Sequence, residues 1–292
     1  MTERDAVWDY MTGQMHDSTP ALLAAYQRDS AAMPAAAAGV PYGPHPRQVF
    51  DLLESPAPWR GTLLYFHAGY WQARDKAMFR IIAPALLAAG IDVALANYPL
   101  CPDVAMPALT QAARAAVPGV LAHAAGRGRG GQALITTGHS AGAHIAVELA
   151  LTEWGDASPI AGVVGLSGVY DLAPLIDTPL NQALRLDPAT ARAASPIHRV
   201  TQGAPPALFV VGGAETPAFQ AQTASMAAAW TAAGNRGAMM TVDGADHFSL
   251  LQSMAAPGPV LEAVMALQNS NVDHGGVADT PFVDALYPGK RP

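Results

Sequence analysis

A single cysteine, Cys101, rules out an intrachain disulfide, and it has no partners at the spacing of a structural zinc site. It reads as a small apolar filler. Charge is also scarce. Asp, Glu, Lys and Arg make up only 13% of the chain and leave a net charge of −7, which argues against a nucleic-acid partner, because neutralising phosphates takes clustered Lys and Arg. Only Arg127 and Arg129 approach a cluster, in a Gly-rich loop read as solvated. No run approaches the ~18 apolar residues that span a bilayer. The charged start Met-Thr-Glu-Arg-Asp is not followed by an apolar signal core. The expectation is a soluble, cytoplasmic protein acting on a small molecule, with neither nucleic acid nor membrane as partner.

About half of the 292 residues are hydrophobic, enough for one large core. Short apolar runs rich in β-branched residues predict strands at 48–53, 62–66, 93–97, 133–137, 162–166, 207–211 and 238–242. Helical stretches are predicted at 76–89, 106–125, 141–151, 217–233 and 257–268, with Thr216-Pro217 as an N-cap followed by proline. Strands apolar on both faces and separated by helices imply an α/β fold. Its central sheet would be mostly parallel, of about eight strands, with helices on both faces. The turn Ser55-Pro56-Ala57-Pro58 suggests that the first two strands form an antiparallel hairpin at a sheet edge. Residues 1–45 read as a helical cap segment, 46–268 as the catalytic domain and 269–292 as a polar tail. That tail either wraps the surface or packs on a second subunit, so a homodimer is one option.

The strand at 133–137 runs into Gly138-His-Ser-Ala-Gly142, and a helix follows without a break. A serine on such a turn sits in strained backbone and needs very small neighbours, which Gly138 and Gly142 supply. The helix start aims N–H groups at the serine oxygen and favours negative charge there. Ser140 is therefore the candidate nucleophile, and Ala141 a candidate oxyanion donor. A second strand, 62–66, ends at His67-Ala68-Gly69-Tyr70-Trp71, whose Gly69 and Tyr70 are candidates for the remaining oxyanion N–H groups. His67 is expected to brace this loop. Trp71 and His144 are candidate substrate contacts.

The general base should follow the last strand, which selects His247 in Asp243-Gly-Ala-Asp-His247. Its acid partner should follow the preceding strand, which favours Glu215. Asp243, Asp246 and Asp171 are the alternatives. No His pair has the i, i+4 spacing with an intervening Glu seen in zinc hydrolases, so neither metal nor cofactor is expected.

Taken together, several stretches resemble the kynurenine formamidase (arylformamidase) branch of the α/β-hydrolases. They are Tyr42-Gly43, His67-Ala-Gly-Tyr-Trp71 with Asp75-Lys76, Asn97-Tyr-Pro-Leu100 and Gly138-His-Ser-Ala-Gly-Ala-His144. Leu166-Ser-Gly-Val-Tyr-Asp-Leu172, Gly212-Gly-Ala-Glu-Thr-Pro-Ala-Phe219 with Gln222, and His247-Phe248 follow in the same order. The resemblance covers about residues 40 to 250. It implies the α/β-hydrolase fold, a triad on Ser140, Glu215 and His247, and release of formate from an N-formyl arylamine such as N-formylkynurenine. A broader carboxylesterase or arylamide hydrolase, and a non-catalytic binding member of the fold, are the competing readings. Two positions depart from the family pattern. Ala68 stands where Gly is usual, and an alanine resists positive φ at a cost of ~1 kcal/mol, so a reshaped oxyanion loop is expected. Glu215 stands where Asp is usual.

Overall fold

The computed structural model describes residues 5–269. Eight strands form one sheet: β1 (Ala37–Pro41), β2 (Val49–Leu53), β3 (Gly61–Phe66), β4 (Ile91–Ala96), β5 (Leu134–His139), β6 (Ile160–Leu166), β7 (Ala207–Gly212) and β8 (Gly237–Val242). The order is β1-β2-β4-β3-β5-β6-β7-β8, parallel from β4 to β8 and antiparallel where β2 meets β1 and β4. The helices are α1 (Ala6–Tyr10), α2 (Thr19–Ala31), α3 (Ala83–Ala88), α4 (Met106–Arg114), α5 (Ala116–Gly126) and α6 (Ala141–Ala150). The chain continues with α7 (Asn181–Leu184), α8 (Pro188–Ala193), α9 (Pro217–Ala232), α10 (Gln252–Ala255) and α11 (Pro259–Asn269).

The side-chain alternation of β3 shows why the sheet must be covered twice. Leu64 and Phe66 join α4, α5 and α6 residues such as Leu109, Val120 and Ile145 in one core. Leu63 and Tyr65 face the other way, onto Leu86 of α3 and Val264 of α11. A further cluster packs Ala146 and Val147 of α6 against Met226 and Trp230 of α9. Burying an apolar side chain fully is worth about 1.5–3 kcal/mol, so both faces contribute to stability. No single helix among the described residues is long and apolar enough to cross a membrane.

Several expectations need correction. The first two predicted strands do not form a hairpin. β4 lies between them, and the Pro-containing segment carries the chain across it, anchored where Ser55 N–H donates to Asp92 Oδ1 at 2.8 Å. The segment read as a helical cap also supplies the edge strand β1, with only Gly39 in the left-handed region. The two long helices predicted at 76–89 and 106–125 are each broken. Pro84 and Pro118 lack the N–H that would bond the carbonyls of Arg80 and Arg114, so a 3-10 stretch precedes α3, and α4 ends before α5. Thr216 does cap α9, but its hydroxyl donates to Asp9 O at 2.7 Å instead of accepting from its own helix. The predicted tail lies outside the described residues apart from Asn269.

The strand order places the site. β3 is followed by β4 on one side and flanked by β5 on the other, so connections leave on opposite faces and open a crevice at the strands' carboxyl ends. The β3–β5 register pairs Phe66 with Gly138, which brings the loop after β3 alongside the turn after β5.

Candidate active site

Ser140 occupies the turn between β5 and α6 at φ 56°, ψ −117°, a conformation that L-residues rarely adopt. Its two glycine neighbours are required sterically. A Cβ on Gly142 would lie 1.9 Å from Phe66 O, and one on Gly138 would lie 2.2 Å from the Gly142 backbone. The helix thus runs against the end of β3. The turn is pinned by Ser140 N–H donating to Leu166 O at 2.9 Å.

Beside it, positive φ falls on Gly69 (128°), Tyr70 (50°) and Trp71 (58°). Ala68 is not among the positive-φ residues, so the anticipated strain at that position does not arise. The tight turn is built one residue later, where a Cβ on Gly69 would sit 2.2 Å from Ala73 O. Gly69 O accepts from Gln72 N and Ala73 N at 2.9 and 3.1 Å. Among the described residues, the N–H groups of Gly69, Tyr70 and Ala141 find no acceptor, as donors reserved for a ligand oxygen would. His67 braces this loop: its Nδ1 lies 2.8 Å from Ala68 O, and its ring stacks on Tyr98 at 4.4 Å. Complete burial lowers its pKa to about 4, so the ring is neutral near pH 7.

His247 follows β8, and Glu215 follows β7. His247 Nδ1 lies 2.8 Å from Glu215 Oε2, which also receives the Ser167 hydroxyl; Glu215 Oε1 accepts Gly212 N–H at 2.7 Å. Ser167 Oγ is itself 2.8 Å from His247 Nδ1. The hydroxyl carries one proton and gives it to the carboxylate, so the Nδ1–H proton is shared between Glu215 and Ser167. The imidazole is fixed further by Phe219 and His139, each with ring centroids 4.5 Å away. Burial, then the nearby His247, hold the His139 pKa well below its usual value. Of the alternative acids, Asp243 is exposed, and the other two are engaged elsewhere. Asp246 accepts the N–H groups of Phe248 and Ser249, and Asp171 accepts Ala173 N–H.

Ser140 and His247 line the same cavity of about 300 Å³, with Ala68, Gly69 and Tyr70. The hydroxyl and imidazole are not hydrogen-bonded to one another; such contacts often tighten only around substrate. Arg74, Leu180 and Phe248 add to the wall, and the N-terminal segment closes one side with Tyr10, Met11, Thr12, Gln14 and Met15. That segment is tied down at both ends of the site. The Tyr70 hydroxyl donates to Tyr10 O, and Gln14 Nε2 donates to Thr216 Oγ1 at 2.6 Å, next to Glu215.

Two sequence-based candidates do not reach the cavity. Trp71 is fully buried in the core, its ring edge-to-face with His144 at 5.0 Å. His144 points into the helix layer, with Nε2 2.8 Å from Ala194 O, and burial lowers its pKa to about 4. Trp71 follows the cavity-lining Tyr70, and His144 lies one helical turn beyond Ser140, yet both side chains enter the interior. Sequence reasoning missed the role of Ser167 beside Glu215 and His247; it read the N-terminal segment as a cap without naming the residues that line the cavity. The signals for Ser167 were its position after β6 and its place in the stretch Leu166-Ser-Gly-Val-Tyr-Asp-Leu172. Cys101 is buried, and burial raises its pKa to about 11, in keeping with an apolar filler. Among the described residues no group of three His, Cys, Asp or Glu side chains could hold a metal ion.

A family model described as the alpha/beta hydrolase fold matches residues 63–251, from β3 through the 3-10 turn after His247. The chain belongs to the α/β-hydrolase family. Within this family it is kynurenine formamidase-like: it is 30% identical to the kynurenine formamidase of Danio rerio over 228 residues, 74% of this chain and 75% of that protein. A solved structure from Silicibacter sp. TM1040, provisionally described as a thioesterase, shares 28% identity with a TM-score of 0.74. It covers 89% of this α/β-hydrolase and 98% of its own chain. A thermophilic esterase from Thermogutta terrifontis shares 25% identity at a TM-score of 0.56, over 68% of this chain and 77% of that one. The α/β-hydrolase described here is a hydrolase of the amidase and esterase kind.

Proposed function

We propose that this α/β-hydrolase is a serine enzyme that releases formate from an N-formyl arylamine of the N-formylkynurenine kind. The observation that carries the reading is the joining of His247 to Glu215 on the wall that also holds Ser140, beside three N–H groups without acceptors. His247 takes the Ser140 proton as Oγ bonds to the formyl carbon. The carbonyl oxygen becomes an oxyanion against the N–H groups of Gly69, Tyr70 and Ala141. Collapse breaks the C–N bond, and His247 returns the proton to the departing arylamine nitrogen. Water, deprotonated by His247, then attacks the formyl ester; formate leaves and Ser140 regains its proton. Glu215 keeps the Nδ1–H tautomer and stabilises the imidazolium.

The likeness to a kynurenine formamidase supports the formyl substrate, and the cavity volume, at the small end of ligand sites, suits a small-molecule substrate. The esterase relative supports a second reading, short-chain ester hydrolysis by the same residues. Comparing kcat/KM for N-formylkynurenine with that for 4-nitrophenyl butyrate separates the two. A preference for the formamide of a hundredfold or more is expected, and a preference for the ester assigns the enzyme to the second class. Ser140→Ala should abolish both activities and labelling by a fluorophosphonate while leaving the fold intact. Turnover retained in that variant removes Ser140 from the mechanism.

A further inference from the structure

Arg47, Arg80, Arg127, Arg129 and Arg199 each lie against a carboxylate. Arg74 lines the catalytic cavity and has no carboxylate partner among the described residues, and none of the other cavity-lining residues is an Asp or a Glu. A guanidinium stays ionised, and a half-buried one without a counter-charge is costly to keep. Burial lowers the Arg74 pKa, in line with that cost. The structure nevertheless places the Arg74 guanidinium against the cavity wall. Its backbone is held at φ 77° with its carbonyl accepting Arg47 Nη2 at 2.9 Å, and its guanidinium carbon lies 5.5 Å from the centre of the Phe248 ring. The stem passes the oxyanion loop closely, since a Cβ on Gly69 would lie 3.3 Å from Arg74 Cγ. A maintained cation on an otherwise mostly apolar wall, inside a chain of net charge −7, calls for an anion from the ligand.

We infer that Arg74 anchors a carboxylate on the substrate, so that the enzyme selects anionic N-formyl arylamines over neutral ones. This rests on the formamidase reading for the reacting group, but the carboxylate contact is a separate claim. The α-carboxylate of N-formylkynurenine is such a group, and a guanidinium fork matches it with two parallel hydrogen bonds.

The experiment compares kcat/KM for N-formylkynurenine with that for its α-carboxamide, which removes only the negative charge, in the wild type, Arg74→Gln and Arg74→Lys. The wild type should prefer the carboxylate. Arg74→Gln should reduce that preference by tenfold to a hundredfold, chiefly through KM, and Arg74→Lys should retain part of it as a point charge. A preference within twofold of wild type in Arg74→Gln overturns the inference while leaving the formamidase reading standing. If neither formamide is turned over, calorimetric titration with kynurenine and its carboxamide decides. Selective loss of kynurenine binding in Arg74→Gln, with Arg74→Lys as the folded control, upholds the anchor and removes the formamidase reading. Equal binding in all three proteins removes both.

Discussion

Ser167 lies between the acid and the base, and its hydroxyl touches both. It also sits at φ 50°, a left-handed conformation costing a non-glycine residue ~1 kcal/mol or more. Under the proposed mechanism those two facts assign it a positioning role, with backbone strain at the same residue. Ser167→Gly relieves the backbone but frees Glu215 and the imidazole to swing, whereas Ser167→Ala removes the hydroxyl and keeps the strain. Both variants should lower kcat about tenfold with KM nearly unchanged, while Ser167→Gly unfolds at a denaturant concentration no lower than Ser167→Ala. Steady-state kinetics with urea melts check this, and wild-type kcat in both would reduce Ser167 to packing. The motif around Ser167 was readable from sequence, but the target of the hydroxyl was not, because it depends on how β6, β7 and β8 align. The same limit misplaced Trp71 and His144. Proximity in sequence to a reactive loop does not say which side of the sheet a side chain enters.

Among the elements, the contact of α6 with the end of β3 is the least compressible. Gly142→Ala places a Cβ 1.9 Å from a backbone oxygen that has no rotamer to adopt, so helix and strand must separate. The variant should lose about 3 kcal/mol or more, read as a lowered urea midpoint, together with the arrangement of N–H groups beside Ser140. An unchanged midpoint would mean that the two elements part freely. Strands β2 to β8 and helices α6, α9 and α11 were legible because apolar runs and breakers repeat with the right period, whereas the short α7 and α8 between β6 and β7 carry no such pattern. Strand pairing was not. The antiparallel edge depends on β4 inserting beside β2, a contact between residues some 40 positions apart that no local pattern announces.

At the scale of the whole molecule, buried ionisable groups set the response to acid. His67 and His144 have folded pKa values of about 4, depressed by burial from 6.5. Between those pH values the unfolded chain binds protons that the folded chain refuses, so their contribution is full above pH 6.5 and lost as pH falls through 4. Each accounts for on the order of 3 kcal/mol across that window. Asp51 adds a loss at lower pH. Burial raises its pKa, but bonds from Lys76, Arg80 and Gly39 outweigh burial and leave it lowered, so its stabilisation is present above 3.8 and disappears below it. Glu148, raised by burial, works in the opposite sense and favours the acid side. Urea midpoints measured from pH 7 to pH 4 should therefore decline, and His67→Gln should flatten the curve. A midpoint independent of pH would show that water reaches these rings.

Two of the bonds that tie the N-terminal segment down join partners far apart in the chain, Tyr10 with Tyr70 and Gln14 with Thr216, the latter 202 positions away. One partner belongs to the loop that would steady the developing negative charge, and the other adjoins the acid behind the imidazole. A molecule bulky enough to prise that strap loose would disturb both at once. Oversized compounds would then be admitted but hardly processed, so discrimination by size would register as slow turnover more than as weak capture.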